Sequence, residues 1–166
     1  NKHMDLLDIR NYPEFKRVCD VSENSSDSCW IYENVNEELM FSPHRSWVYF
    51  IVVDNEIVKT GETGNPLGLK GKTKKCYMVT GTGSRIGRYM KNGGTDHYIR
   101  ESLTPVVKNQ KVSFYVKKCP VVQVDTVRAG QQVSTTLSSH KQEELDYLDL
   151  IVDNTGKLPK LNKARK

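Results

Sequence analysis

The stretch Trp47-Val-Tyr-Phe-Ile-Val-Val-Asp-Asn-Glu-Ile-Val-Lys-Thr-Gly61 carries the strongest structural signal in the chain. Trp47 to Val53 are all β-branched or aromatic, the residue types that fit a pleated, packed surface. Asp54-Asn55-Glu56 are residues that turn a chain. Ile57-Val58-Lys59-Thr60 then returns as a second strand, so the stretch predicts a β-hairpin.

Downstream of the hairpin, Gly61, Gly64, Gly68 and Gly71 with Pro66 mark a loop to Lys75, and Cys76 to Thr80 is apolar enough for a short strand or an extended part of that loop. Ser84 is a suitable N-cap for a helix to about Asn92, stopped by Gly93-Gly94. Thr95 begins a second helix to about Leu103, which Pro105 is expected to end. Lys111 to Lys117 alternates and predicts a third strand. Residues 119–138 are open, with extended structure the nearest reading. Ser138 or Ser139 caps a third helix over His140 to Val152, with Leu145, Leu148 and Val152 at helical spacing.

Upstream, residues 1–45 read as an N-terminal extension. Leu6, Ile9, Phe15 and Val18 suit a short helix that Pro13 interrupts, and Ser22 to Ser28 is turn or loop material. The expected order, β-β-α-α-β-α, is mixed α/β of the α+β kind: a small mixed sheet flanked by helices.

The 166 residues suffice for one compact domain, and 37% hydrophobic with 27% charged residues is the balance of a globular chain. No run approaches the ~18–20 apolar residues that span a bilayer. No secretory pattern opens the chain, so no membrane association and a cytoplasmic location, in a prokaryote or encoded by a phage, are expected. Cys19, Cys29, Cys76 and Cys119 form no closely spaced pair and read as free thiols rather than a zinc site.

The net charge of +5 is unevenly spread. Between Ile57 and Arg100 the bases are Lys59, Lys70, Lys72, Lys74, Lys75, Arg85, Arg88, Lys91 and Arg100, against the acids Glu62 and Asp96 alone. Lys157, Lys160, Lys163, Arg165 and Lys166 add a basic tail, while the first 45 residues lean acidic. A basic centre and tail suit a polyanion held through its phosphates; a solvated basic surface is the plain alternative. Val79-Thr-Gly-Thr-Gly-Ser-Arg-Ile-Gly87 has the look of a dinucleotide-binding turn. The chain beyond it is too short for the parallel sheet that such a fold requires.

Taken together, several segments resemble the GIY-YIG nucleases. Trp47-Val48-Tyr49 and Lys59-Thr60-Gly61 resemble the paired tripeptides of that family, and Arg85-Ile86-Gly87-Arg88-Tyr89 its arginine helix. Glu144-Leu-Asp-Tyr-Leu148 resembles its metal-binding helix, and Pro159-Lys-Leu-Asn162 its closing element. The resemblance spans about residues 46–163, so residues 46–166 are expected to form the nuclease-like domain. Lys59 stands where most members carry tyrosine, which is similar to some restriction enzymes of the family. The gap from Gly61 to Arg85 is longer than in compact members.

The resemblance implies a catalytic set of Tyr49, Lys59, Arg85, Tyr89 and Glu144, with Gly61 and Asn162 structural in the site. It implies one Mg²⁺ or Mn²⁺ per site held by Glu144, with Glu143 as the rival ligand. In-line hydrolysis of a phosphodiester needs an activated water, a clamp on the phosphate oxygens and charge relief for the leaving oxygen. Glu144 is a hard oxygen ligand. The planar fork of Arg85 suits a phosphate. Tyr49 would orient the water and, with Lys59 nearby, take its proton. Lys70, Lys72, Lys74, Lys75, Arg88 and Lys91 are candidate DNA contacts. His97 is a lesser candidate, and His140 belongs to the helix start. The expected function is a metal-dependent endonuclease on double-stranded DNA, a sequence-specific restriction enzyme working as a homodimer on a palindrome, with the extension over residues 1–45 as a dimerisation or DNA-contact arm. The alternatives are a phage DNA-degrading endonuclease and a non-catalytic nucleic-acid-binding module.

Overall fold

The computed structural model describes residues 4–23, 30–68, 84–90 and 93–163. The element order is β1 (Lys16–Glu23), β2 (Trp30–Asn34), α1 (Glu37–Met40), β3 (Trp47–Val53), β4 (Glu56–Thr63), α2 (Gly94–Val107), β5 (Val112–Lys118), β6 (Val121–Arg128), β7 (Gln131–Ser138) and α3 (His140–Thr155), with single 3₁₀ turns at Ile9–Asn11 and Gly87–Met90.

The predicted hairpin is β3–β4, with Tyr49 opposite Gly61 and Ile51 opposite Lys59. Asp54 and Asn55 both take positive φ, 45° and 72°, as a two-residue hairpin turn requires. The third predicted strand, β5, pairs antiparallel with β3 on the side away from β4. The sheet then continues into residues read as an extension: its order is β2-β1-β5-β3-β4. The N-terminal segment therefore supplies two strands of the main sheet. Val18 and Tyr32 are fully buried in it, so burial of their apolar surface helps to hold the segment in place. The expected helix around Phe15 and Val18 is instead a 3₁₀ turn followed by β1.

Both faces of the sheet are covered. On one face Trp47, Tyr49 and Ile51 pack with Ile86, Tyr89 and, from α2, Ile99 and Leu103. On the other, Val48, Phe50, Val52 and Ile57 pack with Leu6, Leu7, Ile9, Tyr12 and Phe15 and with Ile151 of α3. Phe15 stacks on Phe50 with ring centroids 4.0 Å apart. The uninterrupted apolar run of β3 is the mark of a strand buried on both sides.

Three boundaries differ from expectation. Pro105 lies inside α2 rather than ending it, and the helix runs to Val107, where Val106 and Val107 pack on the core. Around Arg85 the chain makes only a 3₁₀ turn, not a helix from Ser84. The Ser84 hydroxyl accepts from the Gly87 amide, as an N-cap does, and donates to the Leu67 carbonyl, so it caps the 3₁₀ turn and ties it to the loop. α3 outruns its prediction to Thr155 and stops at Gly156, whose φ of 76° satisfies a left-handed C-cap. Within the open stretch 119–138, β6 and β7 form a hairpin, and among the described residues these strands pair only with each other. Cys19 and Cys119 are buried free thiols; Cys29 and Cys76 lie outside the described residues, as does the apolar stretch Cys76 to Thr80.

Candidate active site

β4 is an edge strand whose outer edge is met by Leu7 and Asp8 at Glu56–Ile57 and by the C-terminal segment at Val58–Thr60. The Leu161 amide donates to the Val58 carbonyl at 2.8 Å. The Asn162 side chain accepts from the Thr60 amide (2.8 Å) and donates to the Thr60 carbonyl (3.1 Å). A side-chain amide presents a donor and an acceptor side by side, so it can mimic one residue of a paired strand. Thr60 is thereby held, and the candidate residues gather beside Gly61 and Glu62.

Tyr49 projects from β3 across its partner Gly61. A Cβ on Gly61 would come within 2.2 Å of Tyr49 Cζ, so only glycine lets the ring lie there. The Tyr49 hydroxyl hydrogen bonds to that of Tyr89 at 2.7 Å. The Arg85 guanidinium carbon sits 5.2 Å from the Tyr49 ring centre and 4.9 Å from that of Tyr89, within cation–π range. Arg85 Nη2 also reaches the Tyr89 hydroxyl at 3.5 Å. Tyr49, Arg85 and Tyr89 thus form one packed unit, even though the Arg85 turn is 3₁₀ rather than α.

Arg85 carries a partner that the sequence reading missed. Its two terminal nitrogens each donate to one oxygen of Asp96, both at 3.0 Å, from the first turn of α2. The fork expected to grip a phosphate is therefore engaged by a carboxylate in the protein alone. A signal existed: Asp96 and Glu62 are the only acids in the basic stretch from Ile57 to Arg100, and both stand at this site. Arg88 lines the same cleft of about 420 Å³ with Glu62, Arg85 and Asp96. Its Nε is buried without a hydrogen-bond partner among the described residues.

On α3 the two rival glutamates diverge, because consecutive helical residues point about 100° apart. Glu143 bonds Lys117 of β5 and receives the Ser139 hydroxyl; these bonds hold its carboxyl below the usual range, although burial opposes them. Glu144 faces β4. Burial, and then the like charge of Glu62, push its carboxyl from 4.5 up to about 7, against the pull of Lys59 and Arg85. Lys59, opposite Ile51, is shifted toward its neutral amine, chiefly by burial and in part by Arg85, with Glu144 opposing.

Burial raises Tyr49 above its ordinary value, with Arg85 the principal opposing cation. The expectation that Lys59 would supply the cation beside Tyr49 needs correction: Arg85 fills that place, and the ammonium of Lys59 acts on Glu144. Tyr89 is raised as well, by burial and by Tyr49.

The other candidates separate from this centre. His97 Nδ1 hydrogen bonds to Arg100 at 2.8 Å on α2. His140 begins α3 as expected, but it is buried and bonds Glu62 through Nδ1 at 2.8 Å. Lys70, Lys72, Lys74, Lys75 and Lys91 lie outside the described residues. Among the described residues no group of three His, Cys, Asp or Glu side chains forms a ready metal cage, and no helix is long and apolar enough to cross a membrane. The donor set still fits a single hard cation. Mg²⁺ keeps several waters and takes one or two carboxylates, and Glu144 beside Glu62 is a pair of like charges that a cation would relieve.

No protein-family model matches the sequence, and no curated protein matches it. Solved structures do match in three dimensions. The restriction endonuclease HPY188I, solved with product DNA, is 20% identical with a TM-score of 0.52, over 98% of this chain and 88% of that one. EndoII of bacteriophage T4, solved as a mutant, is 18% identical with a TM-score of 0.59, over 97% of this chain and 99% of that one. At these identities the likeness establishes the fold: nearly the whole chain, the N-terminal strands included, adopts an α+β architecture similar to that of these two nucleases.

Proposed function

We propose that the chain is a DNA endonuclease of the GIY-YIG type, dependent on Mg²⁺ or Mn²⁺ and acting on double-stranded DNA, most like a sequence-specific restriction enzyme. The observation that carries this reading is the convergence of Tyr49, Lys59, Arg85, Tyr89 and Glu144, from β3, β4, the 3₁₀ turn and α3, on one strand edge. The nuclease fold of the two structural neighbours supports it.

In this reading Glu144 would hold the cation. The ion, when bound, supplies charge stabilisation to the phosphate and the departing 3′ oxygen. The Tyr49 hydroxyl, fixed by Tyr89, orients the attacking water. The water's proton passes to a base at this edge, where Tyr49 and Lys59 both stand on the β3–β4 hairpin. Arg85 keeps positive charge beside the phosphate. Arg88, which lines the same cleft, contacts the DNA backbone. Lys70, Lys72, Lys74, Lys75 and Lys91 extend that contact. One site cuts one strand, so cutting a duplex through calls for two copies on a palindrome.

The test is cleavage of mixed-sequence plasmid and phage DNA with Mg²⁺ or EDTA, beside Glu144→Ala. Discrete metal-dependent bands that disappear with the variant support the restriction reading. A metal-dependent smear favours a degrading enzyme, the reading to which the phage EndoII neighbour lends support. Binding without cutting under any divalent metal points to a non-catalytic module.

A further inference from the structure

Glu62 has no part in the catalytic set drawn above, yet it occupies a central place. It follows Gly61 on β4, opposite Val48, and so projects from the sheet face that α3 covers. It lines the cleft that holds Arg85 and Asp96, and it is the like charge acting on Glu144. Its carboxylate is not left to wander. His140 Nδ1 lies 2.8 Å from Glu62 Oε1, and the His140 side chain is only 9% exposed.

His140 and Glu144 are four residues apart on α3, one turn, and therefore on the same helix face. One stretch of helix thus presents both Glu144 and the imidazole that aims Glu62 beside it. The far side of the imidazole is fitted closely as well: a Cβ on Gly64 would lie 3.3 Å from His140 Nε2.

A like-charged pair at a partly buried edge is costly unless something of opposite sign joins it. Lys59 and Arg85 are the cations acting on Glu144, and Arg85 is already matched by Asp96. A histidine that merely anchored the start of α3 could have used a neutral acceptor.

We propose that Glu62, aimed by His140, is a positioning residue of the metal centre: it accepts hydrogen bonds from waters on the cation that Glu144 binds, and so sets both the affinity and the orientation of that ion. The assignment rests on the endonuclease reading of Glu144. Outer partners of this kind fix the donors of a metal site and commonly tune affinity by about 10–100-fold.

The test uses the whole protein, with Mn²⁺ as the probe and free Mn²⁺ read by electron paramagnetic resonance, so no turnover is involved. Glu62→Gln keeps the shape and removes the charge. It is expected to weaken Mn²⁺ binding about tenfold, the lower end of the effect of outer partners. His140→Asn, which retains a donor near the position of Nδ1, is expected to bind within about threefold of the parent, and His140→Phe to weaken binding as Glu62→Gln does. Glu144→Gln, as the reference, abolishes binding. Circular dichroism checks that each variant is folded, and Glu62→Asp serves as a second probe, with a shorter arm that restores charge but only part of the affinity. Unchanged Mn²⁺ affinity in Glu62→Gln, with Glu144→Gln abolishing it, overturns the role of Glu62 alone. A parent protein that binds no Mn²⁺, or a Glu144→Gln variant that binds normally, overturns the metal reading and the role of Glu62 with it.

Discussion

Replacing Glu144 by Gln is expected to stabilise the metal-free protein at pH 8 while removing its activity. The carboxyl is raised from 4.5 to about 7 by burial and by Glu62. Between those two values the folded chain keeps a proton that the unfolded chain has released. The folded state therefore binds more protons, stability falls as pH rises through that window, and the full penalty persists above about pH 7. At about 1.36 kcal/mol per tenfold change, the shift corresponds to an upper bound of about 3 kcal/mol. Partial solvent access screens such a penalty, so about 1–2 kcal/mol is the working figure. Gln has nearly the shape of the protonated acid and carries no charge, so it escapes the penalty at every pH.

For a chain of this length about 1 kcal/mol moves Tm by about 2–4 °C. Thermal denaturation in EDTA at pH 8 is expected to place Glu144→Gln several degrees above the parent. Near pH 4.5 the two should melt together. Saturating Mg²⁺ should raise Tm of the parent and not of the variant. A variant that melts below the parent at pH 8 would refute the picture of a carboxylate held against its preference, and with it the idea that the site is built for a cation.

Other expectations follow from the same geometry. Gly61→Ala drives a methyl into the Tyr49 ring; urea denaturation should show a loss of about 1–3 kcal/mol, and plasmid cleavage should fall far more than stability does, since Tyr49 must leave its bond to Tyr89. Asn162→Ala removes two hydrogen bonds to the Thr60 backbone and should cost about 1–3 kcal/mol in urea melts, with hydrogen exchange at the Thr60 amide accelerating first. Glu143→Ala breaks the contacts to Lys117 and Ser139 and should cost about 1–2 kcal/mol. Its cleavage rate at a temperature where it remains folded should stay within a few-fold of the parent, in contrast to Glu144→Ala.

The legible parts of the fold and site were those written in short range. The run from Trp47 to Gly61 contains its own turn residues and its own strand residues, so the hairpin follows from neighbours a few positions apart; the pairing of Tyr49 with Gly61 depends in addition on a register shift between Ile51 and Val52. The same holds for α3, whose divergence of Glu143 from Glu144 is a property of any helix. Less legible was the turn at Arg85. Ser84 did cap, accepting from the Gly87 amide, but the chain it capped made one 3₁₀ turn rather than an α-helix. Pro105 likewise did not stop α2, because Val106 and Val107 still had core to cover.

The central hairpin, the third strand and the α3 helix were thus readable from local sequence, while Tyr49, Lys59, Arg85, Tyr89 and Glu144 came from a resemblance and stand as the proposed set. Packing at long range brought β1 and β2 into the main sheet, Asp96 to Arg85, His140 to Glu62, and Asn162 to the edge beside Thr60 at a separation of 102 residues. The physical reason is one of range. Turn and strand preferences act between adjacent residues, whereas a buried acid or amide takes whichever partner the packing of distant elements brings within about 3 Å, and no local pattern encodes that meeting.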